Sequence, residues 1–388
     1  MTSAIIITFC CLVLVAYLFD ITAPKTKIPT VILLLLVGYG LKELTKFLNI
    51  TVPDLSDTLP LLGTVGLILI VMEGALELQL NKEKLSIVRK SIWGSLIPII
   101  LLGGGIAYAF HLYSGYPLKD CITNALPLCI ISSAIAIPTV RNLSKQAKEF
   151  ITFESSLSDI IGVIIFNFFA LNEMINAASV GEFFLQLIAI VVISLIATLL
   201  LAFLFKRINH HIKFLPIIFM VILIYTIAKA YHLPALIFIL IFGLFLGNLD
   251  ELKRYSFINK FDPDNLEKEV HKFHEITIEF TFLIRSLFFL VFGYLIKAEE
   301  VLNTATIGWA VAIVAAILVI RVIQLKISKL PLHPLAFIAP RGLITVLLFV
   351  SITPAQAIPI MNQSLIIQVI LLCALIMMIG IMTTKTRP

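Results

Sequence analysis

The chain has 388 residues, of which 60% are hydrophobic and 13% charged, and its mean hydropathy is +1.06. Soluble domains carry about a quarter charged residues, so the composition excludes a soluble enzyme or binding module and defines a polytopic membrane protein. The formal net charge of +6 fits basic loops lying against an anionic membrane surface and gives no indication of nucleic-acid binding.

Apolar segments long enough to cross a hydrocarbon core of roughly 30 Å repeat along the sequence, and the short alternating segments of a barrel are absent, so an all-α membrane protein is expected. In chain order the spans are expected near 2–19, 28–48, 59–77, 92–113, 121–139, 150–172, 183–205, 214–230, 233–248, 273–296, 303–325, 332–352 and 364–383, thirteen transmembrane helices in all. The stretch from Met1 to Phe19 lacks a basic start and a small-residue cleavage site, and reads as the first span rather than a secretory signal. If the N-terminus is outside, the outer Lys and Arg are Lys42, Lys46, Lys119, Lys229 and Lys297, while Arg285, Arg321 and Arg341 lie inside or at the ends of spans. All other basic residues, Lys84, Arg89, Lys90, Arg141, Lys145 and Lys148 among them, then fall on the inner side, which places the C-terminus in the cytoplasm of a plasma-membrane protein. The longest hydrophilic stretch, 248–272, is an inner loop too short for a domain. The chain stops soon after Thr384, so no soluble regulatory domain is expected.

Five cysteines, Cys10, Cys11, Cys121, Cys129 and Cys373, are unpatterned and lie mostly in apolar runs, which argues against a disulfide frame or a zinc site. The histidines, His111 and His271 among them, show no metal spacing, and no cofactor is expected.

Polar groups within the spans carry the functional signal. The third span contains Glu73 and, at its end, Glu77. In the fourth, Gly103-Gly104-Gly105 is a close-packing surface rather than a phosphate loop. The fifth reads Ile131-Ser132-Ser133 ahead of Pro138, and the twelfth is interrupted by Ala339-Pro340-Arg341-Gly342. Proline removes a backbone donor and glycine weakens a helix, so carbonyls at both breaks are expected to face an ion. The sixth contains Glu154-Ser155-Ser156-Leu157-Ser158-Asp159. An ionised Asp near mid-span costs about 2.5–3.5 kcal/mol even on insertion scales, so it faces a partner or a water-filled path. Ser155 and Asp159 form one helical stripe and Glu154 and Ser158 an adjacent one: one able to hold a cation, the other to anchor the helix. Arg285 of the tenth span is expected to snorkel or to pair with Glu279.

The fifth and twelfth spans are seven apart. An odd offset reverses direction across the membrane, so two inverted six-helix repeats, spans 1–6 and 8–13, are expected, with discontinuous helices 5 and 12 crossing at the binding site.

With these residues in view, the chain resembles the monovalent cation:proton antiporters of the sodium/proton exchanger type. Glu154-Ser155-Ser156-Leu157-Ser158-Asp159 resembles their Glu-Ser-x-x-Asn-Asp signature, Arg341-Gly342 their Leu-Arg-Gly motif, and Arg321 the arginine of their eleventh span. The resemblance implies that Asp159 binds either a proton or the cation. It further implies Na+ at Asp159, Glu73 and Ser155, with Ser132, Ser133 and the Ile131 carbonyl at the unwound crossing and Ser158 in the signature. Glu154 would be a structural acid paired with Arg321 or Arg341, Arg321 being favoured. It also implies a single transporter domain over 1–388 and a homodimer. The dimerisation part would be about 1–90 and 207–300, the moving core about 91–172 and 301–388, and the linker helix 183–206.

Two departures stand out: Ser158 replaces the family's Asn, and Ile131-Ser132-Ser133 replaces its Thr-Asp-Pro. A single titrating aspartate at that pair favours electroneutral exchange of one cation for one H+. Hard oxygen ligands suit Na+ or Li+. The alternatives are a K+/H+ exchanger or a cation channel, although no repeated filter loop or charged pore ring is visible. An intramembrane enzyme is disfavoured because no catalytic His accompanies the acids.

Overall fold

The computed structural model describes residues 2–50, 52–78, 80, 84–141, 143–207, 213–253 and 263–383. Residues 254–262 of the long hydrophilic loop and the tail from Thr384 therefore lie outside the described residues. Most of the described residues are helical and no strand occurs among them; the expected spans fall on helices, the fifth and the twelfth only in part. In order these are α1 (Thr2–Thr26), α2 (Thr30–Phe47), α3 (Thr58–Glu77), α4 (Leu85–Ser114), α5 (Leu118–Ala125), α6 (Ser133–Thr139), α7 (Lys145–Leu171) and α8 (Ala177–Arg207). They continue as α9 (Phe214–Ala230), α10 (Leu236–Gly247), the single turn α11 (Leu249–Leu252), α12 (Pro263–Leu295), the single turn α13 (Ala298–Val301), α14 (Thr304–Ile327), α15 (Leu343–Val350) and α16 (Gln363–Met382). Among the described residues nine segments are long and apolar enough to cross a membrane, α5 and α6 together forming one of them.

Local signals set the ends of several helices. Gly115, at φ 69°, ends α4 in the left-handed conformation that a side chain would resist. The hydroxyl of Ser144 accepts the amide of Ala147 at the start of α7, and Asn303 and Asn362 cap α14 and α16 in the same way.

Two spans are interrupted as their sequences predict. The fifth runs as α5, a 3-10 turn over Leu126–Leu128, an extended stretch, and then α6. The twelfth begins with a 3-10 turn over Leu335–Phe337, passes through an extended stretch ending at Gly342, and resumes as α15. The N–H of Ser132 donates to the carbonyl of Pro340 at 3.0 Å, so the two interruptions lie against each other.

Elsewhere α12 packs on α2 and α3, and α10 on α3. Around the interruptions α4 packs on α7, and α14 on α16. Each of the pairings α2 with α12, α3 with α10, and α4 with α7 has a counterpart among the others when span n is exchanged with span n+7.

Candidate functional site

The site is built from the two interruptions and the middle of α7. Asp159 is buried at 2% exposure. Its Oδ2 accepts from the Ser133 hydroxyl and, at 3.3 Å, from the Ser133 amide, so the carboxylate sits at the point where α6 begins. Its Oδ1 is buried without a hydrogen-bond partner in the protein. No ion pair reaches Asp159 among the described residues. One residue before Asp159, the Ser158 hydroxyl accepts the N–H of Ile131 at 3.0 Å and holds the extended stretch of the fifth span against α7. The Ser132 hydroxyl lies beside Gly342, 3.2 Å from where a Cβ would stand. The structure thus brings together Ile131, Ser132, Ser133, Ser158 and Asp159.

Arg341 satisfies what the interruption leaves open. Its Nε donates to the Leu128 carbonyl at 2.7 Å, Nη2 to that of Cys129 at 3.3 Å, and Nη1 to that of Ala339 at 2.8 Å. A guanidinium at the C-terminal end of the first half of the span, and a carboxylate at the N-terminal end of the second, each face the helix end whose partial charge is opposite. Arg341 is therefore spent on backbone carbonyls, and Glu154 pairs with Arg321.

That second cluster is separate from Asp159. Arg321 Nη1 donates to Glu154 Oε1 and to Gln324 Oε1 at 2.8 Å, Gln324 Nε2 donates to Glu154 Oε1 at 3.0 Å, and Arg321 Nε reaches the Leu335 carbonyl at 3.1 Å. The Phe150 ring lies 5.8 Å from the guanidinium. Gln324, three residues beyond Arg321 on α14, carries no motif of its own and was not legible from sequence.

Of the remaining expected ligands, the Ser155 hydroxyl points back to its own helix, donating to the Thr152 carbonyl at 3.5 Å. Glu73 is buried at 6% exposure. Arg285 does not snorkel and does not pair with Glu279: it is buried, and its Nη2 lies 3.9 Å from Asp20. Asp20 also takes Arg141 at 3.3 Å. Sequence reading missed Asp20, which sits at the end of the first span like an ordinary loop acid. Asp20, Lys27, Ala134, Ile135, Arg141 and Arg285 help to line a cavity of about 720 Å³, which reaches the turn immediately after Ser133. No group of three His, Cys, Asp or Glu side chains suited to a resident metal ion occurs among the described residues.

Two interrupted spans closing on each other beside a buried aspartate define the class of secondary transporters built on discontinuous helices. The sequence matches the family described as sodium/hydrogen exchanger, transmembrane, over residues 10–386, and the chain belongs to that family. The fold is shared with the solved structure of the sodium proton antiporter MjNhaP1 from Methanocaldococcus jannaschii at pH 8, at a TM-score of 0.73, 17% identity, and coverage of 97% of this chain and 99% of that one. An electron-microscopy structure of MjNhaP1 from the same organism gives a TM-score of 0.66 at 21% identity, covering 98% of this chain and 95% of that one. No curated protein matches the chain in sequence. The protein is an integral membrane protein of a cation:proton antiporter family, a family of transporters rather than enzymes.

Proposed function

We propose that the protein exchanges Na+, or Li+, for H+ one for one, with Asp159 as the carboxylate that both passengers share. The observation that carries this reading is the buried Oδ1 of Asp159. Its partner oxygen is held by Ser133, whereas Oδ1 has no donor in the protein, and a buried carboxylate oxygen is costly unless a proton or a cation satisfies it. Proton and cation are alternatives at that atom, and this competition couples their fluxes. An empty, ionised site is expensive to carry through a low-dielectric barrier, so only the neutralised forms cross. Glu73, Ser155, Ser132 and the Ile131 carbonyl join as oxygen ligands when the cation is bound. Hard oxygen donors of this kind suit Na+ and Li+.

One-for-one stoichiometry rests on the single titrating aspartate of the Ser158–Asp159 pair, Ser158 being neutral, while Glu154 is already paired with Arg321. The moving unit is the core of spans 4–6 and 11–13, which holds both interruptions; spans 1–3 and 8–10 form the scaffold through which two copies dimerise, and α8 links the two inverted repeats. With the N-terminus outside, the cavity beside Arg141 opens to the cytoplasm across a plasma membrane. The test is Asp159→Asn reconstituted in vesicles: cation-dependent proton movement is abolished, and retained exchange would exclude the shared-carboxylate role. A rate that changes with imposed membrane potential would refute one-for-one exchange.

A further inference from the structure

Of the three glycines Gly103-Gly104-Gly105 in the fourth span, only the first packs against the fifth. A Cβ on Gly103 would stand 3.6 Å from the Leu126 side chain, whereas one on Gly104 or Gly105 would meet nothing within 4 Å among the described residues. The open side of Gly105 is instead part of the wall of a cleft of about 290 Å³ between α4 and α14, two helices that touch elsewhere along their length. Each helix brings two small residues one turn apart to it, Gly105 and Ala109 on α4, Ala312 and Ala316 on α14. Leu102, Ile106 and Ile313 are buried where they line it, and among the described residues no charged side chain does so.

Trp309, in the second turn of α14, stands at one end of the cleft. Its ring lies 5.5 Å from that of Phe110 and 5.3 Å from that of Tyr113, both edge-on, and such aromatic side chains gather where a span meets the headgroups. At the other end is Ile320, which lies about 16 Å further along the helix at 1.5 Å per residue. Half a hydrocarbon core is about 15 Å, so the cleft runs from one membrane face to the mid-plane. Tyr108, Leu112, Val311 and Val319 are exposed on the same two helices, which makes the cleft continuous with the lipid-facing surface of this integral membrane protein. A helix with its side chains is about 10–12 Å across and does not enter a cleft of about 290 Å³; a single hydrocarbon chain does.

We infer that the cleft between α4 and α14 binds one extended acyl chain of a phospholipid, drawn from the leaflet that meets the N-terminal end of α14, with Trp309 at its mouth. Contact rather than charge holds the chain: an unfilled cleft leaves its lining without partner atoms on one side, and methylene groups supply them. The headgroup stays at the membrane surface, so the site recognises the chain and not the headgroup. The helices α4 and α14 also carry Gly94, Arg321 and Gln324, so the bound chain braces the two helices that enclose Glu154. The inference is independent of the antiport reading and of which cation is exchanged.

The experiment reads Trp309 fluorescence in the Trp93→Phe protein, Trp93 and Trp309 being the two tryptophans of the chain. The detergent-solubilised protein is titrated with a phosphatidylcholine brominated on its acyl chains, since bromine quenches an indole on contact. The expected result is a quenching component that saturates at one lipid per protein chain. Gly105→Leu and Ala312→Leu, whose side chains fill the cleft, lose that component, while Gly105→Ala keeps it and controls for the gain in helix propensity. Dihexanoyl phosphatidylcholine, whose chains are too short for the cleft, fails to displace the brominated lipid; displacement by it would point to the headgroup and overturn the inference. The filled variants also lose the rise in thermal transition that added phospholipid gives the parent protein. Quenching that grows without saturation, and equally in the filled variants, would leave only bulk lipid around the protein and overturn the site. Unchanged quenching with loss of a dimer in either filled variant would overturn it in favour of a second copy of the chain.

Discussion

The amide of Ser132 and the carbonyl of Pro340 meet at 3.0 Å, so each interrupted span supplies the hydrogen-bond partner that the other lost. In hydrocarbon an orphaned peptide group costs several kcal/mol, and irregular backbone survives there only when protein encloses it. The two breaks are therefore one structural unit. It places a helix start against Asp159 and leaves the carbonyls of Leu128, Cys129 and Ala339 to a single cation, Arg341.

Replacing Arg341 should accordingly damage the crossing rather than any ion pair. Arg341→Ala strands three buried carbonyls, each worth about 1–3 kcal/mol when unsatisfied, and is expected to lower the thermal transition and abolish exchange. Arg341→Lys keeps the charge but not the planar fork that spans three acceptors. It should recover folding and not the exchange rate, as measured by thermal unfolding in detergent and by transport in vesicles. Wild-type exchange in the lysine variant would show that charge alone suffices.

The Glu154–Arg321 pair makes a different prediction. Both residues are buried, with side-chain exposures of 0% and 2%, and removing one partner of a buried pair costs about 3–5 kcal/mol because the other charge is left behind. Glu154→Ala and Arg321→Ala should each destabilise strongly, and the double variant by clearly less than their sum. Thermal unfolding of the four proteins checks this, and additive losses would mean that the pair is not coupled.

Gly94 should be intolerant for a reason that lies in the same cluster. A Cβ there would stand 2.7 Å from Glu154 Oε1 and 2.8 Å from Gln324 Nε2, closer than the pair can accept without shifting. Overpacking of a filled core costs about 1–3 kcal/mol, so Gly94→Ala is expected to lower the thermal transition, and to do so much less in a Gln324→Ala background. Equal losses in both backgrounds would place the strain elsewhere.

The architecture was legible because lipid leaves few solutions: long apolar runs must be helices, and proline with glycine inside two of them marked the interruptions in the fifth and twelfth spans. Asp159 and Glu154 were legible because acids in mid-span need a reason. The choice between Arg321 and Arg341 was harder, since two arginines of equal charge differ only in what their helices place before them. Gln324 and Asp20 were invisible for the opposite reason: an amide on a helix and an acid at a span end are ordinary in composition. Arg285 was misjudged because a span position says nothing about which neighbouring helix supplies the counter-charge, here Asp20 of α1.

Asp20 also controls the charge of the cavity that reaches the turn after Ser133. It faces Arg285 at 3.9 Å and Arg141 at 3.3 Å, so Asp20→Asn leaves two guanidiniums without that carboxylate on the lining. A cavity of one sign focuses the field and alters the local concentration of a charged substrate. Asp20→Asn should therefore raise the KM for the cation, and Arg141→Gln should lower it. Because side-chain exposures of 41% for Arg141 and 22% for Asp20 leave this pair partly open to solvent, its contribution to stability is at most about 1 kcal/mol. The expected signature is a shift in KM with little change in thermal transition. Raising ionic strength with an untransported salt should shrink both effects, since screening acts over about 8–10 Å at such concentrations. Shifts of KM in the same direction for both variants would show that the cavity does not carry the cation.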